Sequence, residues 1–329
     1  MTRNTRNFIV VSLLALSGGI ATGLVAYFGL PAPAVGASGA PDELRFIPDS
    51  ATLVAFADVQ QVMTSEFRHK LRSEVPVAGH GQSGLQAETG INIETDIDRV
   101  VFGAVEDAGS RVSTGTGLLL ARGRFDAVRV EAALRGKGAT PEPYKGTTVF
   151  VSGQRDDTAL GFLEPGLVAF GPAPLVRRAI DLRAGGRSIL TNDALMSRVR
   201  QLEPGHVWAV GRFDALTSHA NLNAGPIGQL PGITWFSASA LVDAGLRAAV
   251  QAEARDEAAA TGLRDLIRGF VALARMQTSA RPELGSVLQS LQLGGVGETV
   301  TLSFDLTPSA LDGLAQSMRQ LPTPARPSR

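Results

Sequence analysis

A strand-then-helix signal recurs along the chain. Apolar runs of five to eight residues are followed by an Asp or Thr and then by a helical pattern, as in "ATLVAFADVQQVM", "GLLLARGRFDAVRVEAAL", "HVWAVGRFDALTS" and "VTLSFDLTPSALDGL". The side-chain oxygen of such a residue accepts hydrogen bonds from the free N–H groups of the first helical turn. We therefore predict helix N-caps at Asp58, Asp126 and Asp214, and at Asp305 with Thr307.

The phrase "LEPG" occurs twice, at 163–166 and at 202–205. Pro at the second position and Gly at the third suit a type II turn. We predict that the first copy joins "TALGFL" to "LVAFG" as a hairpin and that the second introduces the strand "HVWAV". Glu203 and Asp214 would then lie at opposite ends of one strand. At about 3.3 Å per residue they are too far apart for the roughly 5–10 Å that separates paired carboxylates in glycoside hydrolysis.

The remaining patterns predict sheets covered by helices. The segment "TVTLSFDL" (299–306) alternates apolar and polar residues, which is typical of a half-buried antiparallel strand. Apolar residues share a stripe in "DEAAATGLRDLIRGFVALARM", and a second helix repeats apolar residues every four positions from Val59 to Leu71. We expect an α+β fold with largely antiparallel sheets, helices packed on one face and an imperfect internal duplication.

Composition divides the chain into five parts. We predict a cytoplasmic N-terminus and transmembrane signal-anchor at 1–30 and a Pro/Ala/Gly stalk at 31–43. Two α+β halves follow at 44–190 and 191–320, and a disordered tail occupies 321–329.

The anchor prediction rests on residues 8–30, which carry no charge over 23 positions. A helix of this length covers the roughly 30 Å hydrocarbon core of a bilayer. Arg3 and Arg6 precede it, so the positive-inside rule places the N-terminus in the cytoplasm and the rest in the periplasm or another extracytoplasmic space. We expect a single-pass protein of the bacterial inner membrane.

Two further expectations concern this segment. The alternative to an anchor is a cleavable signal peptide ending at "VGA" before Ser38, although its apolar region is normally about 7–15 residues long. Ala15, Gly19 and Gly23 recur every four residues, and small side chains let two membrane helices approach closely. The spacing predicts a weak homodimer.

Charge and cysteine usage exclude some partners and chemistries. The chain has 31 basic and 31 acidic residues and no cysteine. Because no Lys/Arg cluster with interleaved aromatics occurs, we expect no nucleic-acid partner. Thiol catalysis and Cys-ligated metals are ruled out.

Three segments carry a resemblance. "FIPDSATLVAFADVQQVM", "TGINIETDIDRVVFG" and "GETVTLSFDLTPSALDGL" resemble a loose family of single-pass, membrane-anchored bacterial envelope proteins of unknown function. The resemblance implies an envelope protein but no site residues.

Metal, phosphate and nucleotide motifs are weak throughout. "GHGQSG" (79–84) fits a dinucleotide-binding pattern but follows a helical stretch rather than a strand. His69, His80, His206 and His219 lack metal-ligand spacing, and we expect them to face solvent or lie in turns. Asp96 and Asp98 open like a calcium loop, but Val100 occupies the third ligand position, which favours capping at a strand entry.

Serine hydrolase motifs are also missing, since neither Ser83 nor Ser188 lies in a G-x-S-x-G elbow. We predict no catalytic, cofactor-binding or metal-binding residues and no enzymatic activity. An envelope hydrolase is the lesser alternative, and its candidate residues are Asp96, Asp156, Asp157 and His206.

Two functional hypotheses follow. The first is a binding or scaffolding module of the cell envelope whose partner is an unknown envelope protein or lipid. The alternative is a lipid or hydrophobic-ligand binding protein with an apolar groove. Trp208, Trp235 and Phe236 exposed at a cleft would favour the groove, whereas buried tryptophans would favour the binding module.

Overall fold

The computed structural model describes residues 40–74, 91–105, 117–152, 158–214, 232–276 and 283–310. The predicted anchor at 8–30, the small-residue stripe Ala15, Gly19 and Gly23, and the tail at 321–329 lie outside these residues. Among the helices of the described ranges, none is both long enough and apolar enough to cross a bilayer.

In the described ranges, twelve strands form one antiparallel sheet. The strands are β1 Ala51–Asp58, β2 Ile97–Val105, β3 Gly117–Gly123, β4 Ala139–Tyr144, β5 Thr147–Ser152, β6 Thr158–Glu164, β7 Leu167–Pro172, β8 Val207–Arg212, β9 Ile233–Val242, β10 Leu246–Ala254, β11 Gln292–Gly294 and β12 Thr299–Leu306. Their order across the sheet is β11-β12-β10-β9-β8-β1-β2-β3-β7-β6-β5-β4. The α+β fold and the antiparallel sheet are confirmed.

Helices connect or follow these strands. They are α1 Val59–Met63, α2 Glu66–Glu74, α3 Ile93–Asp96, α4 Ala127–Gly136, α5 Ala173–Arg183, α6 Asp193–Gln201, α7 Glu257–Met276 and α8 Glu283–Ser290, with 3-10 helices at Asp42–Phe46 and Ile189–Thr191. The bounds of α7 agree with the helix predicted from its apolar stripe.

The predicted helix from Val59 to Leu71 is broken into α1 and α2. Thr64 folds its hydroxyl back onto the carbonyls of Gln60 and Gln61, at 3.1 and 3.0 Å, and so competes with the helical pattern. The Ser65 hydroxyl then accepts from the Arg68 N–H at 3.2 Å and caps the next helix. Two adjacent hydroxyl residues therefore outweigh the apolar repeat.

Helices pack on both sides of the sheet, so the expected one-sided cover is wrong. We call the side that carries Val54 and Phe56 the front. Pairs across the ladders put Val210, Ser237 and Gln251 on this side as well. The helix α5 packs on the front of the first half. By contrast, α7 packs on Ala252 and Val300, which alternate with the front residues and therefore lie on the back.

The largest core lies on the front of the first half. Val176 and Ile180 of α5 are buried there, together with Leu44 and Phe46 from the first 3-10 helix. The core continues across the β1–β8 pair, where the rings of Phe56 and Trp208 stack with centroids 5.7 Å apart. Burial of this apolar surface is what fixes α5 to the sheet.

The capping predictions hold at two aspartates. Asp58 accepts from the Gln61 N–H of α1 at 3.4 Å, and Asp126 accepts from the Arg129 N–H of α4 at 3.1 Å. After β12 the cap is Thr307, whose hydroxyl accepts from the Ala310 N–H, while Asp305 is an exposed strand residue. The capping prediction fails at Asp214, because the helix already begins at Phe213 and Asp214 lies in its first turn. Residues beyond 214 lie outside the described ranges.

The two copies of "LEPG" differ in structure. Gly166 has φ of +73° and joins β6 to β7, as predicted for a hairpin turn. Gly205 has no positive φ, so the second copy is not a type II turn. Position 205 requires Gly because the backbone there lies close to β9. A Cβ at 205 would be 2.9 Å from the carbonyl oxygen of Ala240.

We expect Asp126→Ala to lower the free energy of unfolding by about 0.5–2 kcal/mol, since one N–H of the first turn of α4 loses its acceptor. Chemical denaturation of the full-length protein in detergent measures the change. Asp126→Asn keeps a capping oxygen and is the control, expected near wild type. Equal stability of all three proteins would contradict the capping role.

Candidate functional site

Hydroxyl and amide side chains gather on the front of the second half of the sheet. They are Ser237 and Ser239 of β9, Gln251 of β10, Thr301 and Ser303 of β12, and Gln292 of β11. We call this surface the open face.

The strand register arranges these side chains in two rows. One row runs Ser237, Gln251 and Thr301. The next runs Ser239, Ala249 and Ser303, and Gln292 continues it at the sheet edge. Paired residues in neighbouring strands are about 4.8 Å apart in the hydrogen-bonding direction. The six polar groups therefore lie close together although they are far apart in the sequence.

The open face has hydrogen-bonding capacity that the fold does not use. None of its six side chains makes a hydrogen bond to another part of the described chain. Gln292 is exposed, and Ser237, Gln251, Thr301 and Ser303 are half-buried, as expected for a sheet surface that faces solvent. Ser239 is only 8% exposed, but its hydroxyl oxygen still reaches the surface.

Charge is confined to the ends of the open face. At one end Arg198 of α6 donates to Glu253 of β10 at 2.8 Å, and its guanidinium lies 4.1 Å from the ring centroid of Trp235. At the other end Arg247 of β10 and Asp305 of β12 are exposed and lie opposite each other in the strand register. The two rows between these ends carry no charged side chain.

Trp208 and Phe236 are buried, at 9% and 3% exposure, and Trp235 is half-buried beneath Arg198. The aromatic side chains that could have marked a cleft are therefore used in packing. None of the three is exposed at a cleft, although Trp235 is only half-buried.

The hydrolase candidates do not form a site among the described residues. Asp156 and Asp157 lie outside those residues. Asp96 accepts from the Asn92 N–H at 2.9 Å and from the Thr95 hydroxyl at 2.8 Å, so its carboxylate closes the turn that enters β2, as predicted. Glu203 and Asp214 flank β8, and Asp214 is bound by Arg212.

His206 lies in a bend directly before β8, as the turn expectation allows, but it is fully buried and does not face solvent. Its Nδ1 accepts from the Val242 N–H at 3.0 Å, beyond the end of β8, and the imidazole thus extends the β8–β9 ladder by one bond. Burial lowers the pKa of His206, and Asp243 at 3.9 Å from Nε2 raises it less. The imidazole is therefore neutral, and its hydrogen bond from Val242 stabilises the pairing of β8 with β9.

The other sequence candidates contribute little. His69 is exposed on α2, as expected, whereas His80, His219 and the "GHGQSG" segment with Ser83 lie outside the described residues. Ser188 is buried in an isolated bridge to Pro48. In the part of the chain that the structure describes, no three His, Asp or Glu side chains gather in a metal-binding arrangement.

Sequence reasoning missed the open face, although one signal was present. The alternation in 299–306 correctly separates Thr301 and Ser303 from the apolar side of β12. The segment "SASA" of β9 shows the same alternation of polar and apolar residues. However, nothing in the sequence indicates that β9 and β12 lie on either side of β10. Only the register brings the three strands together.

No protein-family model matches the chain, and no curated protein matches its sequence. Among solved structures, "Structure of crystal form III of TP0453" is similar with a TM-score of 0.50 and 10% identity, covering 84% of this chain and 99% of that chain. "Structure of crystal form I of TP0453" gives a TM-score of 0.47 and 11% identity, covering 85% and 99%. This likeness concerns the fold alone.

The pKa of Asp58, the N-cap of α1, makes the stability of the protein depend on pH. Burial raises its pKa to about 6, against an ordinary value of 3.8, and the Gln61 N–H and Arg99 lower it less. The folded state holds this proton more tightly than the unfolded state. The contribution of Asp58 to the free energy of unfolding therefore falls as pH rises from about 4 to about 6.

We expect Asp58→Asn to stabilise the protein by about 1–3 kcal/mol at pH 7 and by much less at pH 4, because Asn caps a helix without a buried charge. Denaturation at both pH values measures the difference. Asp126→Asn, at an exposed cap, is the matched control and should change stability little. A gain of equal size at pH 4 and pH 7 would contradict the burial of the Asp58 carboxylate.

Proposed function

We propose that the chain is a membrane-tethered, extracytoplasmic binding or scaffolding module of the bacterial cell envelope and that the open face is its binding surface. In this proposal residues 8–30 anchor the chain in the inner membrane, the N-terminus is cytoplasmic and the sheet lies in the periplasm. The module binds without turning over its partner. Its relation to single-pass envelope proteins remains a prediction from sequence.

The observation that carries the proposal is the set of unpartnered hydroxyl and amide groups on the open face. A surface that serves only solubility is normally rich in Lys, Arg, Glu and Asp. Here the two central rows have no charge, while the ends carry Arg198 with Glu253, and Arg247 with Asp305. Unused hydrogen-bonding groups, concentrated on a rigid sheet, support a role in recognition.

The two halves of the sheet have similar strand orders but different front surfaces. The order β8-β9-β10-β12 in the second half repeats the order β1-β2-β3-β7 in the first. We propose an imperfect internal duplication in which the first half kept a helix, α5, over its front core. In the second half α6 covers the front at Trp208 and Val210, and the surface beyond it is polar and available for binding.

The alternative, binding of a lipid or another hydrophobic ligand, draws support from one feature. On α7, Leu266, Phe270 and Met276 are 38%, 36% and 76% exposed. An amphipathic helix with exposed apolar side chains suits contact with an apolar partner. The burial of Trp208 and Phe236 speaks against an aromatic-lined groove, so we rank this function second.

Site-specific photo-crosslinking in cells tests the binding surface. A photoreactive residue replaces Gln251 in the full-length chain, and the control replaces Thr148, an exposed residue of β5. We expect a discrete adduct at 251 and none at 148. Adducts of equal yield at the two positions, or none at either, would contradict the open face as a binding surface, and an adduct only from a probe at Phe270 would favour the alternative.

The topology is tested separately. We expect a C-terminal tag to be degraded by protease added to intact spheroplasts and the purified protein to retain its own N-terminus, because residues 8–30 anchor the chain. A protected tag would contradict the orientation. A mature N-terminus near Ser38 would show that the segment is a cleaved signal peptide.

A further inference from the structure

We infer that the ligand of the open face is a neutral glycan chain, an inference that rests on the proposed function and specifies its partner. The surface on which such a chain would lie is formed by the row Ser237, Gln251 and Thr301 and by the row that ends in Ser303 and Gln292.

The polar groups of the open face complement those of a sugar chain. A hydroxyl group both donates and accepts hydrogen bonds, and an amide carries two donors and one acceptor oxygen. The hydroxyl and acetamido groups of a sugar chain have the same mixed character. The Ser, Thr and Gln side chains of the two rows can therefore either donate hydrogen bonds to successive sugar units or accept hydrogen bonds from them.

The spacing of the two rows suits an extended chain. Neighbouring strands are about 4.8 Å apart, and side chains on one side of a strand repeat every two residues, at about 6.6 Å. From Ser237 through Gln251 to Thr301 the row crosses three strands, or roughly 10 Å. Most positions of the two rows are Ser, Thr or Ala, so few side chains project far from the strands. An extended ligand rich in hydroxyl groups can contact several polar groups of the rows at once.

The lack of charge on the two rows favours a neutral ligand. Anionic polymers require Lys or Arg against their phosphates or carboxylates, and the rows contain neither. Arg198 at the border is neutralised by Glu253 and held over the Trp235 ring, so it adds no free positive charge to the rows. An acyl chain would need apolar side chains, which lie on the opposite side of these strands, at Val300 and Phe304.

The hydroxyl of Ser239 is a further available hydrogen-bonding group at the base of the open face. Ser239 pairs with Trp208 across the β8–β9 ladder and is 8% exposed, and its oxygen reaches the surface. A sugar hydroxyl that contacts this side chain would give it a hydrogen-bond partner.

Calorimetric titration of the full-length protein in detergent tests the inference, with a chitin hexasaccharide as the neutral probe and its fully deacetylated, cationic counterpart as the charged one. The variant Q251A/T301V removes two hydrogen-bonding groups from the central row. The variant T148V/Q201A makes the same two changes at exposed positions elsewhere and is the matched control.

We expect binding of the neutral probe, a loss of about 10- to 30-fold in affinity in Q251A/T301V and no change in T148V/Q201A, since each hydrogen bond contributes about 1 kcal/mol. Tighter binding of the cationic probe, no binding of the neutral probe, or equal affinity in both variants would overturn the glycan assignment. If the neutral probe fails while Gln251 still crosslinks to a protein or lipid in cells, the proposed function stands and only the ligand class is wrong. If both fail, both proposals fall.

Discussion

The antiparallel pairing of β1 with β8 joins the two halves of the molecule. Leu53 to Ala57 pair with Gly211 to Val207, and this single ladder makes one continuous sheet of twelve strands. The stacked rings of Phe56 and Trp208 lie across it on the front. Because neighbouring side chains in a ladder point to the same side, this register also decides which residues of the second half share the front with the main core.

The consequence is a sheet whose front is apolar in one half and polar in the other. In the first half Leu120 and Ala169 pair beneath α5 and are fully buried. In the second half α6 covers the front at Trp208 and Val210. Beyond α6 the same side carries Ser237, Gln251 and Thr301, while α7 packs on Val300 and Ala252 at the back. The open face is the part of the front that no described helix covers.

The sequence predicts features whose causes are local. The caps Asp58 and Asp126, the hairpin at Gly166 and the helix at 257–276 depend on residues within a few positions of one another. The break at Thr64 and Ser65 was also local, but the apolar repeat concealed it. Such errors arise when two local preferences compete and packing decides between them.

Features that depend on strand register cannot be predicted from single segments of the sequence. His206 looks like a turn residue, yet its ring takes the place of a ladder bond to Val242, which is adjacent only once β8 and β9 are paired. The side on which each helix packs, and the assembly of the open face from Ser237, Gln251 and Thr301, depend on the same long-range pairing. No periodicity within a single segment contains that information.

The accessibility of the open face can be measured directly, because the chain has no cysteine and any introduced thiol is the only one. Gln251→Cys lies in the central row of the open face, and Ala169→Cys lies on the same side of the sheet beneath α5. Alkylation of each folded protein by a maleimide should be fast at 251, approaching the rate of the denatured chain, and at 169 should wait for unfolding. Protection of the thiol at 251 in the isolated protein would contradict the claim that this side of the second half is open.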